Sequence, residues 1–143
     1  MAGLGVCLVL AAMAATPAHG PAFIATQRFT LAWTHSIEKV RWEEDYAVVA
    51  APGNAKRAEL RALSARVRGS AAGMEPPPDA VLKDGWYVYT PAERAPNGLP
   101  LSRSEFVPDY ELCMDGQCRP LSHWLVSDGG ITRLTACPAP RRP

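Results

Sequence analysis

Apolar and polar residues alternate along much of this chain with a period of two, the spacing that turns one face of a β-strand to a core and the other to solvent. From Phe29 to Ile37, the residues Phe29, Leu31, Trp33, His35 and Ile37 share one face, and Thr30, Ala32, Thr34 and Ser36 share the other. The alternation resumes from Trp42 to Ala51 with Tyr46, Val48 and Ala50 on one face, which predicts a long hairpin turning near Lys39 and Val40. Pro52-Gly53-Asn54 is a turn signal, because Gly53 or Asn54 takes positive φ at little cost. Ala55 to Arg68 fits two patterns. Leu60, Leu63 and Val67 have helical spacing, whereas Leu63, Ala65 and Val67 alternate with Ser64, Arg66 and Arg68 as a half-exposed strand does. The short neighbouring elements and the Gly-rich stretch that follows favour strand.

Further on, Asp84-Gly85 marks a turn and Trp86-Tyr-Val-Tyr-Thr90 is rich in strand formers. Pro91 to Pro100 reads as a surface loop, and Leu101 to Val107 as a strand with Arg103 on its polar side. Tyr110 to Pro120 predicts a hairpin with Asp115-Gly116 at its tip, the pair a type I′ turn prefers. Leu121 to Val126 and Ile131 to Thr135 read as a last pair of strands around Asp128-Gly129-Gly130. The fold class that follows is all-β, a small antiparallel β-sandwich or partly open barrel of about seven to nine short strands.

Composition narrows the class. A chain of 143 residues fits one domain, and 48% hydrophobic with 20% charged residues excludes wholesale disorder. Fourteen Pro and eleven Gly fall between short apolar runs, as strands and turns require. A net charge of +1, with both signs mixed along the chain, gives no basic surface for nucleic acid. Met1 to Gly20 reads as a secretory signal, since Leu4 to Ala15 is apolar or small and Ala14 and Ala18 suit a signal peptidase. Were it left uncleaved, this segment would be the only link to a membrane, although it falls short of the ~20 apolar residues that span a bilayer. The expected division is therefore 1–20 leader, 21–137 one β-rich domain, and 138–143 a disordered Pro and Arg tail, with the protein exported to the periplasm.

Two stretches carry possible chemistry. Trp33 to Tyr46 gathers two Trp, one Tyr, His35, Glu38 and Glu43. Two readings stand for His35: a buried imidazole hydrogen-bonded to a neighbour such as Glu38, or a ligand-binding or catalytic group. The second stretch, Gly69-Ser-Ala-Ala-Gly-Met-Glu-Pro-Pro-Pro78, places Gly69 and Gly73 four apart, which lets several N–H groups converge on an anion. Arg66 and Arg68 precede it and add charge, and the prolines hold Met74 and Glu75 in place. The alternative is a rigid connector. It is neither a P-loop nor a nucleophile elbow. No cofactor motif occurs. Cys113 and Cys118 fall at the non-hydrogen-bonded pair next to the Asp115-Gly116 turn, about 4.5 Å apart at Cα, which suits a disulfide in an exported protein. Zinc would need two further ligands from Cys137, His35 and His123. Cys137 is left odd if Cys7 leaves with the leader, and its state is open.

The motifs Phe29-Thr-Leu-Ala-Trp-Thr-His-Ser-Ile-Glu38, Trp42-Glu-Glu-x-Tyr46, Gly69-Ser-Ala-Ala-Gly-Met-Glu-Pro-Pro77 and Glu111-Leu-Cys-x-x-Gly-x-Cys-Arg-Pro-Leu121 resemble the DUF1850 family. The resemblance implies a small exported β-rich domain, some of whose members are associated with tripartite ATP-independent periplasmic (TRAP) transporters of the TAXI subclass. It implies no activity, cofactor or catalytic residue. The third motif is usually richer in glycine than here, where Ala71 stands in its middle and narrows the room for a ligand against the backbone.

Three functions are open at this point. The first is a periplasmic binding or accessory module that holds a small carboxylate or contacts a TRAP transporter component. The second is a structural domain that adds a strand to a partner. The third is an enzyme with His35 as base and Glu38, Glu43 or Glu75 as its carboxylate. The first requires 58–68 to be strand, and the His35 and Gly73 stretches to leave the same end of the molecule.

Overall fold

The computed structural model describes residues 3–13, 21–34, 39–68, 78–91 and 98–140. Among them the alternating segments form eleven strands: β1 Leu4–Leu10, β2 Ala22–Ile24, β3 Arg28–Thr34, β4 Arg41–Ala51, β5 Asn54–Arg68, β6 Val81–Lys83, β7 Trp86–Tyr89, β8 Leu99–Ser102, β9 Glu111–Met114, β10 Gln117–Pro120 and β11 Ile131–Pro138. Among the described residues there are also two 3₁₀ turns, Ala11–Met13 and Leu121–His123. The strands make two sheets in the orders β2-β1-β11-β8 and β10-β9-β3-β4-β5-β7-β6, with antiparallel pairing throughout. The expected all-β class holds, in the sandwich rather than the barrel form. Its strands outnumber the seven to nine expected, and β4 and β5 are long.

The core lies between the sheets. Val6, Leu8, Ile24, Leu101 and Leu134 from the smaller sheet meet Phe29, Leu31, Tyr46, Val48, Leu60 and Leu112 from the larger. Phe29, Leu31 and Trp33 do share one face of β3, and Phe29 stacks on Tyr46 at 5.4 Å across the β3–β4 pair. The turns follow their residue chemistry: Gly53 has φ 75°, and Asp84-Gly85 and Asp115-Gly116 have the paired positive φ values of type I′ turns.

The ambiguity over 55–68 has a local cause. Residues 54–68 are strand, but the pairing of β4 with β5 shifts register between Asp45 and Tyr46, so that Asp45 faces Ser64 while Tyr46 faces Ala62. Leu63 is the extra residue of this bulge and is 36% exposed, whereas Leu60, Ala65 and Val67 are buried. One inserted residue thus changes the spacing of inward positions from even to odd, and a helical interval appears in a strand.

Within the stretch read as a leader, Leu4–Leu10 is a strand of this structure: β1 pairs with β11 from Leu4↔Pro138 to Leu10↔Thr132 and with β2 on its other side. Cys137 is bonded to Cys7, with 5.9 Å between Cα atoms. Pro138 ends β11, and the Ala139 N–H donates to the Gly3 carbonyl, so the expected tail is held in place at least that far. Leu121 to Val126 is not a strand; β11 pairs instead with β1 and β8. Arg103 is 3% exposed rather than on a polar side, for reasons of charge pairing given below.

Candidate functional site

Alternation on the larger sheet sends one set of side chains away from the core, and on four adjacent strands that set is polar. Trp42 and Tyr46 face inward on β4, so Arg41, Glu43 and Asp45 face outward. The register then sets Glu43 opposite Arg66 of β5, and Asp45 opposite Thr30 of β3. Thr30 in turn lies opposite Cys113 of β9.

These groups form a continuous ladder. Arg41 Nη1 donates to Glu111 Oε1 at 2.6 Å and its Nε to Glu43 Oε2 at 2.6 Å. Arg66 Nε donates to the other Glu43 oxygen at 2.7 Å, while its Nη1 and Nη2 reach Asp45 at 2.8 and 3.3 Å. Thr30 Oγ1 donates to Asp45 Oδ1 at 2.6 Å. Burial works against the charge on both guanidiniums. The hydrogen bonds and charges of Glu43 and Glu111 at Arg41, and of Asp45 and Glu43 at Arg66, outweigh it, so both pKa values lie above the ordinary one. The ladder is fixed on one side by the sheet and half-screened from water on the other.

A groove of about 600 Å³ opens over it. Its floor and walls include Arg28, Thr30, Glu43, Asp45 and Arg66, and the far wall is the tip of the β9–β10 hairpin, with Cys113, Asp115 and Cys118. That hairpin carries the disulfide expected from the register, Cys113↔Cys118, with 3.9 Å between Cα atoms, shorter than the ~4.5 Å of an open non-hydrogen-bonded pair. Arg41 Nη2 points at both sulfurs, 3.9 Å from each. Arg28 is exposed at the groove and has no carboxylate partner among the described residues.

Of the residues singled out in the sequence, Glu43 and Arg66 lie in the groove. Arg68 lies beside it over the Trp86 ring, 5.1 Å from its centre, with Arg66 at 5.9 Å. His35, Glu38, Gly69, Gly73, Met74 and Glu75 lie outside the described residues. The ends of the strands that flank those stretches are described, and they come together: Trp33 pairs with Trp42, Trp42 with Val67, and Arg68 with Trp86. The β3–β4 and β5–β6 connections therefore leave the same end of the larger sheet. At that end Trp33 stacks on Trp42 at 6.1 Å and lies 6.0 Å from Tyr110.

Sequence reasoning missed Arg28, Thr30, Arg41, Asp45 and Glu111. Their signal was present, since Arg41, Glu43 and Asp45 alternate with inward Trp42 and Tyr46, but it depends on knowing which strands adjoin β4. Arg103 was missed as well. Its Nε and Nη2 each donate to Asp109 at 2.9 Å, its Nη1 to Thr132 Oγ1 at 3.0 Å, and Nη2 also to the Leu125 carbonyl at 2.8 Å. This buried fork ties the chain after β8 to β11 and to the segment after the second 3₁₀ turn, and none of its residues lines the groove. Tyr46 is held protonated well above its usual range by burial, and by the Glu44 carboxylate to which its hydroxyl donates at 2.8 Å.

Comparison with curated proteins and with solved structures returns no match. A family model described as a domain of unknown function does match, over residues 29–121, from the first core residue of β3 to the start of the second 3₁₀ turn. The matched span holds the whole larger sheet except Arg28 and leaves β1, β2 and β11 outside. On this match the chain belongs to the DUF1850 family.

Proposed function

We propose that this protein is an exported binding or accessory module that takes a small carboxylate into the groove on the outer face of the larger sheet. The observation that carries this reading is the groove itself: a pre-formed concavity in which Glu43 and Asp45 are paired with Arg41 and Arg66, and in which the Arg28 guanidinium, in a lining that also holds Asp115, is the group to recognise an anion. Each nitrogen of Arg66 donates to Glu43 or Asp45, so its main part is to hold the floor. Glu43 accepts from Arg41 and Arg66 on its two oxygens, which gives it a part in holding the floor. Two disulfides suit an oxidising compartment and support export.

Thermal melting against a panel of small organic acids tests the reading. A ligand at a hundred times its Kd stabilises by about 2.7 kcal/mol, and R28A should remove that shift without lowering the melting temperature of the free protein. No shift with any acid, in wild type, overturns it. The transporter link that accompanies the family resemblance extends the reading to a TRAP transporter component as the receiving partner, which co-purification with the transporter subunits examines separately.

A second reading is favoured by one observation. β6 is an edge strand of the larger sheet and exposes Val81 at 65% and Leu82 at 59%. An apolar strand with no further neighbour among the described residues suits addition of a strand from a partner. A V81K/L82K variant that keeps the acid-dependent shift but loses the partner would assign association to this edge.

A further inference from the structure

The two disulfides sit in different surroundings. Cys7 is 9% exposed, on a strand flanked by β2 and β11, and its bond to Cys137 closes a sequence separation of 130. Cys118 is exposed on β10, the edge strand at the opposite end of the larger sheet from β6, and its bond to Cys113 closes a separation of 5. The buried bond is shielded from an incoming thiol by the strands on either side, whereas the hairpin bond presents an exposed sulfur, so the hairpin bond is the one a thiol reaches first.

The surroundings also favour chemistry at this bond. Both sulfurs line the groove, so a nucleophile entering it meets them at its wall. Arg41 offers one N–H group to each, 3.9 Å away, from a nitrogen that no carboxylate holds. Its other nitrogens are tied to Glu43 and Glu111, which fix the guanidinium against the hairpin. A cation in that place favours a thiolate over a thiol, and a thiol of lowered pKa leaves faster in exchange. Glu43 and Glu111 offset part of this charge, as does Asp115 at the turn, while Arg28 adds to it from across the groove.

We propose that Cys113–Cys118 is an exchangeable disulfide whose partner is a dithiol entering from the groove. One thiolate of the dithiol attacks Cys118 Sγ. A mixed disulfide forms as the Cys113–Cys118 bond breaks, and the electron pair leaves on Cys113 Sγ beside Arg41. The second thiolate of the dithiol then attacks its own sulfur and releases Cys118. The dithiol is oxidised to a disulfide by two electrons, the hairpin is reduced by the same two, and the protons lost by the dithiol neutralise the two new thiolates. Exposed Cys118 is the sulfur attacked, and half-buried Cys113 is the leaving group. The step stands whether or not the groove also takes a carboxylate.

The test equilibrates the full chain with dithiothreitol at graded ratios of reduced to oxidised form, blocks free thiols and maps the labelled cysteines. Cys113 and Cys118 should be labelled at about a tenfold lower ratio than Cys7 and Cys137, because the cation beside the sulfurs stabilises the reduced form, with the strand signal in circular dichroism unchanged. Simultaneous opening, or Cys7–Cys137 opening first, overturns the proposal. In a second arm, R41Q should slow exchange by about tenfold and move the alkylation profile of Cys113 to higher pH, while R41K keeps most of both. If R41Q matches wild type in rate and profile, the part given to Arg41 is wrong. Glutathione in place of dithiothreitol should stop at a mixed disulfide on Cys118; full reduction at equal rate by this monothiol overturns the choice of a dithiol.

Discussion

Leu8→Ala tests the place of the first strand in the fold. Leu8 is fully buried and pairs with Leu134, also fully buried, while β2 closes the other side of the strand. A fully buried leucine replaced by alanine costs about 2–5 kcal/mol, part of it from the cavity left behind. Two neighbouring features show that the surroundings are rigid and that collapse around the cavity is limited. Cys7 is bonded to Cys137, and Gly5 is so closely packed that a Cβ there would overlap the Ile24 carbonyl and the Phe23 ring. A loss in the upper half of the range, about 3–5 kcal/mol, is therefore expected, a large part of the 5–15 kcal/mol that holds most domains together. At this chain length it lowers the melting temperature by roughly 10–20 °C. The assay is thermal unfolding by circular dichroism on protein whose intact mass is measured first. If residues 4–10 are a leader that leaves the mature protein, the purified chain will begin beyond Leu10 and L8A will melt with wild type. Either result would falsify the assignment of Leu4–Leu10 to the core.

Other perturbations reach separate parts of the molecule. Asp109→Ala leaves the Arg103 charge buried without its partner and should cost about 3–5 kcal/mol in urea unfolding, whereas Arg103→Met with Asp109→Leu should recover most of it; equal losses would show that the fork matters for shape alone. Glu43→Gln weakens two ion pairs at once and should cost about 1–2 kcal/mol, discounted for partial exposure, with the loss shrinking in high salt. A salt-independent loss would point to packing instead. The tyrosines set an alkaline limit: Tyr46, Tyr89 and Tyr110 are all raised above 10.0, chiefly by burial, so the unfolded chain releases their protons first. Stability should hold below about pH 10 and fall as pH rises beyond it. Tyr46→Phe should flatten that fall, and an unchanged slope in pH-dependent urea midpoints would exclude Tyr46 as its source.

How much of this was legible in the sequence depended on how local each cause is. The inward set Phe29, Leu31 and Trp33 and the turn at Asp115-Gly116 come from neighbours in the chain, and both were readable. So was the pairing of Cys113 with Cys118, because a two-residue turn fixes the register beside it. Leu4–Leu10 has two readings by composition, since a strand covered by its neighbours and by the other sheet is as unbroken in its apolar residues as the core of a leader. The helical interval of Leu60, Leu63 and Val67 came from a bulge that only the β4–β5 register reveals. Arg103 was placed on the surface because charge is usually exposed, and its partners lie 6 to 29 residues away. The groove itself needed the strand order: Glu111 and Arg41 are 70 residues apart and meet at 2.6 Å.

That strand order also separates what can be asked of each sheet. The family match spans β3 to β10, and with them nearly all of the outward ladder and the hairpin disulfide, while β1, β2 and β11 fall outside it. The smaller sheet supplies Val6, Leu8, Leu101 and Leu134 to the core and no side chain to the groove over the ladder. Its part is to cover the inner face of the larger sheet, so changes there should alter how strongly the protein folds and leave its preference among anions as it was. Changes on the outward face act in the opposite sense, because Arg28 and Cys118 are exposed and contribute little to the core. A ligand preference that moved with L8A, in protein still folded at the assay temperature, would mean that the two faces of the larger sheet are coupled through its strands. The groove would then be shaped by the core beneath it as well as by its own ion pairs.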